Sequence, residues 1–112
     1  MVVFDPALVE EAFGAFDASA HDLLSLFLSR MEVMIARIRD TIDRADFADA
    51  REATHSARSA ASFVGGAELA AILGQMEQAL VDARYDDAVS CIAEIVAAWE
   101  RLRAAVRGRL GQ

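Results

Sequence analysis

Apolar residues return every three or four positions along nearly the whole chain, the period of an amphipathic α-helix. In "DLLSLFLSRMEVMIARIRDTID", Leu23, Leu24, Phe27, Leu28, Met31, Met34, Ile35, Ile38 and Ile42 form one stripe, which predicts a long helix over about 19–43. Asp5 before Pro6 marks a helix start, since Asp caps well and Pro suits the first helical position. A short helix at about 6–15 follows, ended near Gly14. Asp46 caps a third helix at about 47–64, which stops at Gly65–Gly66, because Gly takes up the left-handed turn that closes a helix. Leu69, Ile72, Leu73, Met76 and Leu80 line a fourth helix at about 67–84. Val89, Ile92, Ile95, Val96, Trp99, Leu102 and Val106 line a last one at about 86–107, with 108–112 as a frayed tail.

Four amphipathic helices joined by short connections pack as an antiparallel up-down-up-down four-helix bundle. The expected fold is therefore all-α, with a short extra N-terminal helix in a segment at about 1–17 and the bundle at about 19–107. At 112 residues the chain reads as one domain, 1–112. Its apolar fraction is 55% but aromatics make up only 7%, so Ala, Leu, Val and Ile fill the core, a mix that suits closely packed helices.

Charge narrows the functions. The formal net charge is −7, which argues against nucleic acid, where affinity comes from neutralising phosphates, and against anionic membranes. The charge is uneven. Residues 1–50 hold ten acids against four Arg, whereas 51–66 hold Arg51 and Arg58 against Glu52 alone. Every basic residue is Arg and there is no Lys. Cys91 is the single cysteine, so neither a disulfide framework nor a Cys-based metal site is expected. No basic leader and no apolar run of about 20 residues is present, and a cytoplasmic protein is expected.

The chemistry-bearing stretch is "ATHSARSAASFVGG", residues 53–66. On a wheel of 100° per residue, Ala50, Ala53, Ala57, Ala60 and Val64 share one broad side. His55, Arg58 and Ser62 share the other, bordered by Arg51 and Ser59. The spacing thus puts a prominent imidazole on a surface of small residues, which leaves room for another protein to approach it closely. A neutral imidazole is a nucleophile, and at an unperturbed pKa of about 6.5 that form dominates at neutral pH. His21, in the first turn of the second helix, belongs to no such group and reads as a surface residue.

From His55 onward, "HSARSAASFVGG" resembles the signature of histidine-containing phosphotransfer (HPt) domains: His-x-x-Lys-Gly, small residues, an apolar residue, then Gly ten places after the His. Val64 and Gly65 take the last two places. Met76 and Glu77 match the apolar-Glu pair at the twenty-first and twenty-second places. "LLSLFLSRM" resembles the family's first bundle helix, "RADFADAREATHSA" its acidic turn, and "FDPALVEEAFG" its extra N-terminal helix, so the resemblance covers about 4–105. It departs twice. Arg58 stands for Lys and keeps the charge; Ser59 stands for the Gly that leaves room for the partner.

The resemblance implies a phosphorelay protein in which His55 accepts a phosphoryl group from a receiver-domain Asp, or from a kinase, and passes it to another receiver domain. It implies that Arg58 stabilises the phosphoryl oxygens, that Glu77 orients the imidazole, and that Ser59, Ser62, Arg51 and Gly65 meet the partner. Partners would be the receiver domains of response regulators and a hybrid histidine kinase, with the protein itself a monomer. Mg²⁺ would sit in the receiver, and no cofactor is expected here. No Gly-rich phosphate loop precedes a helix, so the chain is expected to carry phosphate without an ATP site of its own, and not to be an enzyme. Two alternatives stay open: a module that sequesters a receiver without transfer, for which Ser59 speaks, and a structural bundle in which His55 is incidental.

Overall fold

The computed structural model describes residues 1–13 and 18–111. Six helical segments follow one another: α1 (Ala7–Phe13), α2 (Ala18–Asp43), α3 (Phe47–Phe63), α4 (Ala67–Val81), α5 (Tyr85–Ser90) and α6 (Ile92–Leu110), with no strand among the described residues. The expected all-α bundle is what forms. α2 packs beside α3, α3 beside α4, α4 beside α6, and α6 returns to α2, closing the ring of four. At about 1.5 Å per residue the 26 residues of α2 span about 39 Å, which sets the long axis of a 42 × 22 × 20 Å rod.

The stripes read from the sequence face inward. Leu24, Phe27, Met31, Ile35 and Ile38 of α2 are buried with Leu69, Leu73 and Met76 of α4 and with Ile95, Trp99, Leu102 and Val106 of α6. α3 contributes Ala50, Ala53, Ala57 and Ala61, whose small side chains let it lie close to both neighbours. Phe27 meets Trp99 edge-on at 6.1 Å. The starts are capped as expected: Asp5 Oδ1 accepts from the Ala7 N–H at 3.0 Å, and Asp46 Oδ1 from the Asp49 N–H at 3.3 Å. The predicted stop at Gly14 lies outside the described residues.

Three expectations need correction. The last helix is two segments, because the Ser90 hydroxyl and the Cys91 thiol both donate to the Asp87 carbonyl. The Cys91 N–H turns instead to Ala88 at 3.1 Å, a tighter turn that interrupts the helix. The phase shifts there, so Val89 is exposed rather than part of the inner stripe. At the other end α6 runs to Leu110, three residues past the predicted stop. Leu110 packs on the core, Arg109 pairs with Glu10 of α1, and Gly111 at φ 79° provides the left-handed cap.

The N-terminal segment ties down the α3–α4 turn. The Asp5 N–H donates to Gly65 O at 2.9 Å, and the Glu68 N–H donates to Val2 O at the same distance. This strap stiffens the end of the helix that carries His55.

Candidate functional site

α3 presents His55 outward because its opposite side is the Ala-rich face that the core requires. Ala53 and Ala57, two residues to either side, are buried, as is Thr54, whose hydroxyl donates to Ala50 O at 2.6 Å. The His55 side chain is 58% exposed. Arg51, Ser59 and Ser62 are exposed on the same face. Arg51 and His55 border a small depression together with Ala48, Glu52 and Glu77.

Glu77 arrives from α4. Met76 before it is buried in the core, which leaves Glu77 at the edge of the α3–α4 seam, its side chain only 15% exposed. His55 Nδ1 lies 2.8 Å from Glu77 Oε2. A carboxylate only accepts, so Nδ1 carries a proton, and in the neutral ring Nε2 is then the nitrogen with the lone pair. Arg58 Nε stands 3.2 Å from the other oxygen, Oε1. That contact is an ion pair whose geometry falls short of a hydrogen bond, and the buried Oε1 accepts none. One carboxylate is thus held between two residues a single turn apart on α3. This places Arg58 on Glu77, beside the imidazole, where the resemblance had it meet phosphoryl oxygens.

Gly65 departs from expectation. It is buried, at φ 86°, and a Cβ there would sit 2.3 Å from Asp5 O. Its reason is backbone geometry under the N-terminal strap, and it offers a partner no surface. His21 is half-buried on α2, apart from this helix seam.

Sequence reasoning missed two features. Phe63, 80° around α3 from His55 and eight residues on, is 62% exposed. With Ala60 and with Leu26, Arg30, Val33 and Met34 of α2 it lines an apolar groove of about 620 Å³. The signal was present, since a large apolar residue at the edge of an otherwise small polar stripe is an exposed aromatic. The second feature is Gly74, which faces Arg58 and which no spacing in the sequence marks.

No helix among the described residues is long and apolar enough to cross a membrane, and no group of three or more His, Cys, Asp or Glu among them is placed to hold a metal ion. No curated protein matches the chain. Among solved structures, the crystal structure of histidine-containing phosphotransfer protein B from Pseudomonas aeruginosa PAO1 is similar, with a TM-score of 0.90 at 16% identity over 97% of this chain and 95% of that one. So is the X-ray structure of a putative histidine-containing phosphotransfer protein from rice, with a TM-score of 0.79 at 16% identity over 97% of this chain and 80% of that one. At such identity these two speak for the fold. The Hpt domain model matches residues 22–105, three quarters of the sequence and most of the helical ring with His55 and Glu77 inside it, and the chain therefore belongs to the Hpt domain family.

Proposed function

We propose that His55 is the phosphoacceptor of a two-component phosphorelay, taking a phosphoryl group from the aspartyl phosphate of one receiver domain and giving it to the Asp of another. The observation that carries this reading is the exposed imidazole with its Nδ1 on Glu77 at 2.8 Å. In the forward step the Nε2 lone pair attacks phosphorus, the N–P bond forms, and the P–O bond to the receiver's Asp breaks to release its carboxylate. The ring becomes a phosphoimidazolium, its Nδ1–H still donating to Glu77. The positive charge that develops on the ring lies next to a carboxylate already in place, which is electrostatic stabilisation with little reorganisation. The return step reverses each bond change. Metal and acidic pocket belong to the receiver, and the chain acts as a carrier of phosphate.

The docking face is the His55 stripe, with Arg51, Ser59 and Ser62, continued by the groove between α2 and α3. Small residues around the ring and apolar ones beside it suit a modest, transient interface at the low end of about 1,200–2,000 Å².

The test is incubation with labelled, phosphorylated receivers. Acid-labile label on the wild type, absent from His55→Gln, is expected. Tight binding without label would replace this reading with sequestration, and neither binding nor label would leave a structural bundle.

A further inference from the structure

We infer that Gly74 is a positioning residue for His55: the missing side chain at this point of α4 seats the Arg58 stem, which brings the guanidinium onto Glu77 and so fixes the carboxylate that orients the imidazole. α3 and α4 run antiparallel. His55 meets Glu77 and, one turn further along α3, Arg58 meets Gly74, one turn back along α4. Thr54 Oγ1 at 3.9 Å from Met76 Sδ belongs to the same register. A Cβ at Gly74 would lie 3.5 Å from Arg58 Cδ and 3.9 Å from Nη1, so the arginine stem lies directly over the bare backbone.

The backbone itself does not ask for glycine here. Gly74 has no left-handed φ, and α4 runs unbroken from Ala67 to Val81. A mid-helix Gly is about 1 kcal/mol worse than Ala. What this position keeps clear is the space beyond a Cβ, which itself would make only ordinary contact with Arg58. A branched side chain at position 74 would occupy the path of Arg58 and lift its guanidinium off Glu77 Oε1. That oxygen is buried and accepts no hydrogen bond, so Arg58 is the charge that compensates it. Without Arg58 the carboxylate gains by turning toward water, and the bond to His55 Nδ1 loosens with it. Arg58 therefore acts on His55 through Glu77.

The consequence for rate rests on the transfer reading above; the geometry does not. The test records ring ¹⁵N spectra of histidine-labelled protein, with His21, the other histidine of the chain, as internal control. The wild type is expected to show His55 as the Nδ1–H tautomer. Gly74→Leu, Arg58→Met and Arg58→Ala are each expected to give mixed tautomers at His55 alone. Gly74→Ala, the conservative variant whose Cβ makes ordinary contact with Arg58, is expected to keep the wild-type spectrum. In single-turnover transfer, Gly74→Leu should lower the rate at saturating receiver about tenfold, equal to about 1.4 kcal/mol of barrier, with receiver affinity unchanged. Combining it with Arg58→Ala should add no further loss, because the two act through one chain of contacts. A wild-type ring spectrum in folded Gly74→Leu overturns the inference, as does additivity in the double variant. Should Leu prevent folding, Arg58→Met carries the test: it keeps the stem and removes the charge, and an unchanged spectrum sinks the idea. Failure of the wild type to take up label removes the transfer reading, while the ring spectra still decide the Gly74–Arg58–Glu77–His55 arrangement.

Discussion

Ser59 is exposed one turn past His55, at the place where the family signature carries Gly. A hydroxymethyl group there is small, and helix-interior Gly is poor by comparison. Ser59→Gly is therefore expected to leave the single-turnover transfer rate about unchanged and to cost about 0.5–1 kcal/mol in a thermal melt. A tenfold gain in rate would mean instead that Ser59 crowds the partner. Gly65 behaves in the opposite way. With φ at 86° and Asp5 O in the path of any Cβ, Gly65→Ala forces both backbone strain and displacement of the N-terminal strap. The strain alone is of order 1–3 kcal/mol, so a melt should show a clear loss, and an unchanged melting temperature would contradict the strap. These two positions also mark how far single residues are legible. The outward direction of His55 follows from helical periodicity, and its pairing with Glu77 from the family spacing. The seat of Arg58 does not follow, because it depends on which residue of α4 lies opposite and that register exists only after packing. Gly65 was legible as a helix stop, but its burial was not, since the strap that covers it comes from sixty residues away.

At the scale of elements, three of the connections are built alike. After α2 the Asp46 N–H reaches Thr41 O at 2.8 Å and the Ala45 N–H reaches Ile42 O at 3.0 Å. After α3, Gly66 and Gly65 bond Ala61 and Ser62 in the same pattern, and after α4, Arg84 and Ala83 bond Ala79 and Leu80. Each is a Schellman-type ending with one residue in the left-handed region. Only the middle one has Gly there; Ala45 sits at φ 54° and Ala83 at φ 56°. An L-residue pays about 1–2 kcal/mol in that region, partly offset by the extra freedom Gly has when unfolded. Ala45→Gly and Ala83→Gly are each expected to stabilise the protein by about 0.5–1 kcal/mol, read as a raised denaturant midpoint at unchanged slope. A lowered midpoint would show that the unfolded-state term wins. Periodicity found every long helix, because a stripe that must face a core leaves a strong signal. It missed the break at Cys91, because apolar spacing continues through 85–106 and the cause is a competition for one carbonyl by two neighbouring side chains.

Across the whole molecule, charge and apolar exposure are not spread alike. The chain carries −7, yet the His55 face shows Arg51 and Arg58, and the apolar groove beside it includes Arg30. In the transfer reading proposed above, these local arginines suit a partner whose phosphoacceptor pocket is acidic. In the same reading, the groove adds apolar contact beside the histidine. Leu26, Val33 and Phe63 are 48%, 69% and 62% exposed, and Phe63 alone stands on the helix that carries His55. Full burial of a Phe side chain is worth about 1.5–3 kcal/mol, so a partner covering what remains open here gains roughly 1–2 kcal/mol. Phe63→Ala is accordingly expected to weaken receiver binding about tenfold, equal to about 1.4 kcal/mol, in a calorimetric titration. Its effect on the melt should stay within about 0.5 kcal/mol, because the ring is outside the core. Ser62→Trp, on the stripe itself, should block the same binding by bulk while the bundle stays folded. The two variants separate the contributions, since one removes apolar contact beside the histidine and the other removes access to it. Unchanged affinity in Phe63→Ala with lost affinity in Ser62→Trp would confine the docking face to the His55 stripe. Unchanged affinity in both would move it to another side of the rod.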